Sequence, residues 1–459
     1  MAAAPAPGRG RLVAALLAFL ALSWLVITTS LADAVATSSP DLALMLSREH
    51  PVALITKAER ARADLLELVT SESKAASEGA VRQGKGTRTA PSQAAVATPT
   101  AAERSERARL RGVIRDLAQR TLAVQPLNAA AYRMLGELSD DIDQTRIYMR
   151  EAARRSRRET IAVFWLLNDS VAHNDAAAAL EYADILLRTR PELAPPVMGY
   201  LAAIAASQTG RDVIARQMAR RPPWRSLFYQ TFPAAMRDLR VGLPLLAAIK
   251  SAGVPTTLAE GSNLIDTFLV KEQVDLAYAA WLSLLSPEEL SRLGLLTNAN
   301  FASEPSGVSF DWRIQAGTNA IAEFTRRPGD EAGEGRLLHV QLNDGRVRFP
   351  VVKQVIVLAP GRYRLTGQVR GSIIAKRGLQ WDVRCLFNSP KKPLGETELF
   401  SGRMSQWRSF TVDFEVGASD NCEAQVVRLF HASRSASEEI ISGEAWFDGL
   451  RLTRIKSAK

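Results

Sequence analysis

The stretch GEAWFDGLRLTRI, residues 443 to 455, lies four residues from the end of the chain and decides how its last third is read. Strict alternation along a strand sets Phe447 on the face opposite Leu450 and Leu452. A bulge at Asp448-Gly449 brings all three to one face, and glycine is the residue that favours such a bulge. The stretch is therefore expected to be the last strand of a separate sandwich, returning near that sandwich's first strand.

Working upstream, the same period of two recurs. WRSFTVDFEV (407–416) alternates Phe410, Val412, Phe414 and Val416. GLQWDVRCLF (378–387) sets Leu379, Trp381, Val383, Cys385 and Phe387 on one face. KQVIVLAPGRYRLTGQVRG (353–371) reads as a hairpin turning at Pro360-Gly361, and CEAQVVRLFH (422–431) as a further strand. Regular strands between Gly/Pro turns over residues 298 to 456 predict a β-sandwich.

Before residue 298 the period is helical. Residues 104 to 296 hold amphipathic segments such as 128–139, 143–159, 160–173 and 174–193, joined by short loops. Each such hairpin needs neighbours to bury its apolar stripe. SPEEL (286–290) carries a capping box, Ser286 to Glu289. PPWRSLFYQTFP (222–233) reads as a loop or short helix packed in a seam, with a ligand groove as the alternative. Residues 37 to 70 predict two short helices, opened by Pro40 and Pro51. Residues 71 to 103, rich in Ala, Ser, Thr, Gly and Pro, predict a flexible linker.

At the other end, Arg9 and Arg11 precede the uncharged, apolar residues 12 to 32. As a helix that segment spans about 31 Å, one hydrocarbon core. Residues 1 to 36 are expected to be a single-pass signal anchor; cleavage after the small residues Ala32, Ala34 and Ala36 is the alternative. The arginines stay on the cytoplasmic side, so the rest is exported. The expected location is a bacterial inner membrane with the C-terminal part periplasmic.

Composition narrows the chemistry. A net charge of +10 over 459 residues permits anionic partners, and the arginine runs 149–159 and 211–225 read as solvated helix faces or as contacts to acidic partners. No nucleic-acid motif is present, and export argues against such a partner. The four histidines stand at no metal-ligand spacing. Cys385 and Cys422, in the exported part near one strand's end and another's start, predict a disulfide.

Two resemblances follow from particular residues. Tyr132, Leu135, Gly136 and Ala153, then Leu167, Ala179, Leu186 and Pro191, resemble tetratricopeptide repeats. NANFASEPSGVSFDWRI (298–314), QVIVLAPGRYRL and GEAWFDGLRL resemble the jelly-roll carbohydrate-binding modules of bacterial glycan-acting proteins. The order of anchor, helices and module is similar to that of bacterial exopolysaccharide assembly and export proteins. These resemblances imply a multidomain α + β chain: transmembrane helix, α-helical hairpin array and C-terminal jelly roll. They also imply a structural calcium held by an acid after the first-strand Asn-x-x-Phe and by an Asp in the last strand. Asp448 matches the latter; Ala302 stands where the former is expected, with Glu304 nearby. Two carboxylates alone do not complete a calcium shell. No other cofactor is expected.

For a glycan, one polar sheet face is expected, carrying Gln368, Arg370, Gln380, Asp382, Arg384 and Arg428, with Trp446 as an aromatic platform if it points away from Phe447. The alternative is a solvated face that pairs with itself. Asp311, Asp382, Asp413, Glu444 and Asp448 show no spacing that pairs two carboxylates, and no nucleophile or phosphate motif is present. The chain is therefore expected to be no enzyme but a membrane-anchored scaffold. It binds polysaccharide or acidic glycan through the sandwich and envelope assembly proteins through its helices. The rivals are a sandwich that is structural or docks protein, and a glycan-modifying enzyme.

Overall fold

A computed structural model describes residues 9–83, 100–326, 335–387, 392–418 and 422–455. The chain divides into two compact units, Met1–Pro191 and Glu192–Lys459.

The first unit is helical. Helix α1 (Arg9–Val35) contains Leu16–Val35, long and apolar enough to cross a membrane. Leu16, Phe19 and Trp24 are exposed along it. Helices α2 (Pro40–Leu46) and α3 (Pro51–Gln83) follow, both opened by proline. Because α3 runs through Gln83, the first part of the expected linker is helical; Ala, Glu, Lys and Gln there are good helix formers. Residues 84–99 lie outside the described residues, and α4 (Ala101–Val124) starts on a capping box from Thr100 to Glu103.

Helices α5 (Ala129–Glu137), α6 (Ile142–Arg155), α7 (Thr160–Ala172) and α8 (Ala176–Thr189) continue the unit. Leu54 and Ala58 of α3 pack with Leu110, Ile114 and Leu117 of α4 and with Met134 and Leu135 of α5. Arg133 lies inside this unit, only 2% exposed, and is ion-paired to Glu59, Glu137 and Glu159. A buried guanidinium persists only with such partners. Of the 149–159 arginine run, Arg155 lies 4.0 Å over the Tyr132 ring and pairs with Glu151.

The second unit opens with α9 (Ala194–Ala205), α10 (Gln208–Ala219), α11 (Arg225–Ala235) and α12 (Gly242–Ser251). It continues with α13 (Leu258–Val270), α14 (Val274–Leu284) and α15 (Pro287–Ser291). The 222–233 stretch is indeed packing: Phe228 and Phe232 of α11 stack at 4.5 Å, both buried. Arg225 pairs through Nε and Nη2 with Glu260. Ser286 and Glu289 form the expected capping box.

Among the described residues ten strands follow: β1 (Arg313–Ile314), β2 (Ala320–Arg326), β3 (Arg336–Leu342), β4 (Val352–Ile356) and β5 (Gly361–Ala375), then β6 (Leu379–Cys385), β7 (Gly395–Glu396), β8 (Gly402–Val416), β9 (Gln425–His431) and β10 (Ile441–Arg454). They form two antiparallel five-stranded sheets, β1-β4-β9-β6-β7 and β2-β3-β10-β5-β8. From β3 to β6 the chain alternates between sheets, the pattern of a jelly roll. Val352, Trp381, Val383, Val427 and Leu429 of one sheet meet Leu338, Leu365, Val369, Phe410 and Phe447 of the other in one core.

Two details differ from expectation. The 353–371 stretch is not a hairpin: β4 and β5 belong to different sheets, and Pro360-Gly361 lies in the crossover between them. A Pro-Gly pair reverses the chain in either case, and alternation does not say which strand is the neighbour. The closing strand lies at the centre of its sheet, between β3 and β5, rather than beside the first strand.

The bulge is where it was expected. Register between β10 and β5 shifts between Asp448 and Arg451, Gly449 has φ +59°, and Phe447, Leu450 and Leu452 all join the core. A left-handed φ favours glycine there.

Candidate functional site

Since Ala445 and Phe447 face the core, Trp446 points to the outer face of β2-β3-β10-β5-β8. Register lines up Glu323, His339, Trp446 and Arg370 across β2, β3, β10 and β5. The rows on either side bring Gln341, Glu444 and Ser372 together, and Asp448 beside Gln368. The rings of His339 and Trp446 stack, with centroids 5.3 Å apart and planes 15° apart. Trp446 is half-buried, while Gln368 and Arg370 are exposed. No ion pair involves Arg370 among the described residues.

His339 stands between two acids, with Nδ1 3.8 Å from Glu323 and Nε2 3.8 Å from Glu444. Its Nε2 is buried and lacks a hydrogen-bond partner. Farther along the face, Arg364 grips Asp413 at 2.6 and 2.7 Å, and that hydrogen-bonded pairing holds the carboxyl below the usual aspartate range. The register between β5 and β8 breaks between Val369 and Gly371, and Trp407 lies in the unpaired stretch of β8 opposite Arg370.

Gln380, Asp382, Arg384 and Arg428 do not share this face. They belong to β6 and β9 of the other sheet, so the expected single face is two faces on opposite sides of the sandwich. Apolar and polar residues alternate alike along β5 and β6, which is why the sequence merged the two faces. The Asp382 side chain is fully buried and accepts from Arg384 Nε at 2.5 Å and from Arg428 at 2.7 and 2.9 Å. Gln380 donates to the Thr397 carbonyl at 2.6 Å. Here the alternative reading holds, a face that pairs largely with itself.

Glu304 and Asp448 each have a partner within the protein. The Glu304 carboxylate pairs with Arg336, and Asp448 Oδ1 accepts from the Gly449 amide at 2.6 Å. Among the described residues no three of His, Cys, Asp and Glu gather as metal ligands. Cys385 and Cys422 are bridged, with Cα atoms 5.2 Å apart, tying the end of β6 to the entry of β9.

Sequence reasoning missed His339, Glu323 and Gln341 because it placed no strands over β2 and β3. The signal was present in AIAEFTR, whose Ala320, Ala322 and Phe324 are all buried.

No family model and no curated protein matches the chain. Among solved structures it is similar to the CBM22-1 xylan-binding domain from Paenibacillus barcinonensis Xyn10C, at 12% identity and TM-score 0.24, over 35% of this chain and 94% of that one. It is also similar to a family 61 carbohydrate-binding module in complex with β-1,4-galactotriose, at 14% identity and TM-score 0.24, over 36% and 99%. A third likeness is to the enzymatically active domain of tailspike protein 4 of bacteriophage CBA120, at 11% identity and TM-score 0.27, over 35% and 21%.

Proposed function

We propose that the sandwich binds glycan across the outer face of β2-β3-β10-β5-β8, on a chain anchored in a bacterial inner membrane by α1. The observation that carries this reading is Trp446, outward-facing, braced by His339 and ringed by exposed polar side chains. A pyranose offers an apolar C–H face to an aromatic ring and hydroxyls to planar amides and guanidinium groups; Gln368, Gln341 and Arg370 supply these. In this reading the helices, tetratricopeptide-like in their short loops and amphipathic faces, dock envelope or exopolysaccharide assembly proteins.

A binding role is favoured over a catalytic one by what the carboxylates touch. Asp382 is held by two arginines, Asp413 by Arg364, and Asp311 accepts from the amides of Ser306 and Trp312. On the opposite sheet one contact is structural. There Asp266 of α13 pairs with Arg313 at 2.7 Å and accepts from Ser309 at 2.8 Å, seating a helix against the sandwich.

The test is retention of the full-length chain, in detergent, on a panel of immobilised bacterial exopolysaccharides. At least one is expected to retain the wild type, with Trp446→Ala at least tenfold weaker and Arg384→Ala unchanged. Failure of the wild type to bind any of them defeats the reading.

A further inference from the structure

The other sheet carries a row of cations on the side of the sandwich opposite Trp446. Register sets Arg313, Lys353 and Arg428 side by side across β1, β4 and β9, with Asp382 of β6 next in the row. Arg313 has Asp266 as partner, and Arg428 shares Asp382 with Arg384. Lys353, half-buried between the two arginines, has no carboxylate partner among the described residues. Four cations thus stand against two acids, and the surplus is centred on Lys353.

All three row cations line a cleft of about 540 Å3 between this sheet and α13. Its apolar wall includes Leu269, Val270 and Phe387. Val270 is 78% exposed, at the rim. Phe387 does not continue the core face of β6, as its alternation predicted; the strand ends at Cys385 and the ring lines the cleft. The Cys385–Cys422 bridge and the Leu386 amide bond to Ala424, at 2.9 Å, hold the segment that carries it.

A ligand fitting this cleft needs one negative charge for Lys353 and an apolar face for Phe387 and Val270. Hydroxyls would meet the free edges of the two arginines. We infer that the cleft binds a hexuronate residue of an acidic polysaccharide, its carboxylate on Lys353 and its C–H face on the Phe387 wall.

The test is equilibrium binding of the full-length chain, in detergent, to oligogalacturonate, to a neutral galacto-oligomer of equal length and to inorganic phosphate. The hexuronate oligomer is expected to bind, with Lys353→Met and Val270→Asp each at least tenfold weaker. Val270 is exposed, so that substitution adds a repelling charge without disturbing the core. The slope of log affinity against log salt should flatten in Lys353→Met, as expected when a counter-charge is removed. Trp446→Ala should leave hexuronate affinity within twofold. The inference is overturned if neutral and acidic oligomers bind alike, if Lys353→Met is without effect, or if phosphate competes as well as the uronate. It is also overturned if Trp446→Ala abolishes hexuronate binding, which would place that ligand on the first face.

Discussion

His339 and Trp446 are directly opposed across β3 and β10, and their rings stack at 5.3 Å and 15°. One face of the indole is therefore covered, and the proposed glycan would use the other face and the exposed edge. Stacking also fixes an otherwise mobile side chain before a ligand arrives, which lowers the ordering cost of binding. The arrangement depends on the bulge at Gly449, which keeps Phe447 and Leu452 in the core while the strand twists past Asp448.

Arg133 is the keystone of the first unit. Its removal takes the cation from Glu159 and leaves Glu59 and Glu137 with Arg62 alone. Arg133→Met is expected to destabilise this unit by about 3 kcal/mol, the usual cost of breaking a buried pair on one side. Urea unfolding followed by circular dichroism measures this. A change within a few tenths of a kcal/mol would show that the carboxylates are served by water instead.

Much of the C-terminal fold was legible because it rests on local chemistry. Alternation in β6 and β8, and a glycine two residues after Phe447, fix faces and a bulge within a few residues of one another. Sheet membership was not legible, because Pro360-Gly361 turns a chain equally well into a neighbouring strand or across to the facing sheet. Strand β3 was obscured by Leu337 and Leu338, two adjacent apolar residues that blur the period of two; both are buried. In α5, Arg133 looks from sequence like part of a polar stripe, and its burial follows only from acids 74 residues before and 26 after it. Of the expected glycan residues, Gln368, Arg370 and Trp446 fall on one face, while on the other sheet Arg384 and Arg428 pair with Asp382 and Gln380 bonds the Thr397 carbonyl.

The disulfide closes a 37-residue separation. In the chain-entropy account a loop of that size is worth about 4 kcal/mol. Cys385→Ser with Cys422→Ser, or reduction, should lower the thermal midpoint of the sandwich by several degrees. Wild type and variant melting together under oxidising conditions would contradict this.

Acid should weaken the sandwich through His431. Burial depresses its pKa below 6.5, while its Nε2, 2.9 Å from the Arg377 carbonyl, donates in the neutral form. A depressed folded-state value means the unfolded chain takes the proton first. The stabilising contribution is therefore present above pH 6.5 and is lost as pH falls through the lower folded value. Thermal midpoints between pH 7 and 5 should fall more steeply for the wild type than for His431→Gln. Equal slopes would assign the acid sensitivity elsewhere.

The most direct measurement for the glycan face is hydroxyl-radical footprinting of the full-length chain with and without a saturating neutral polysaccharide that it retains. The account predicts that Trp446 and His339 become protected together while Phe387, on the opposite sheet, labels as before. Unchanged labelling of Trp446 in the presence of bound polysaccharide would contradict it.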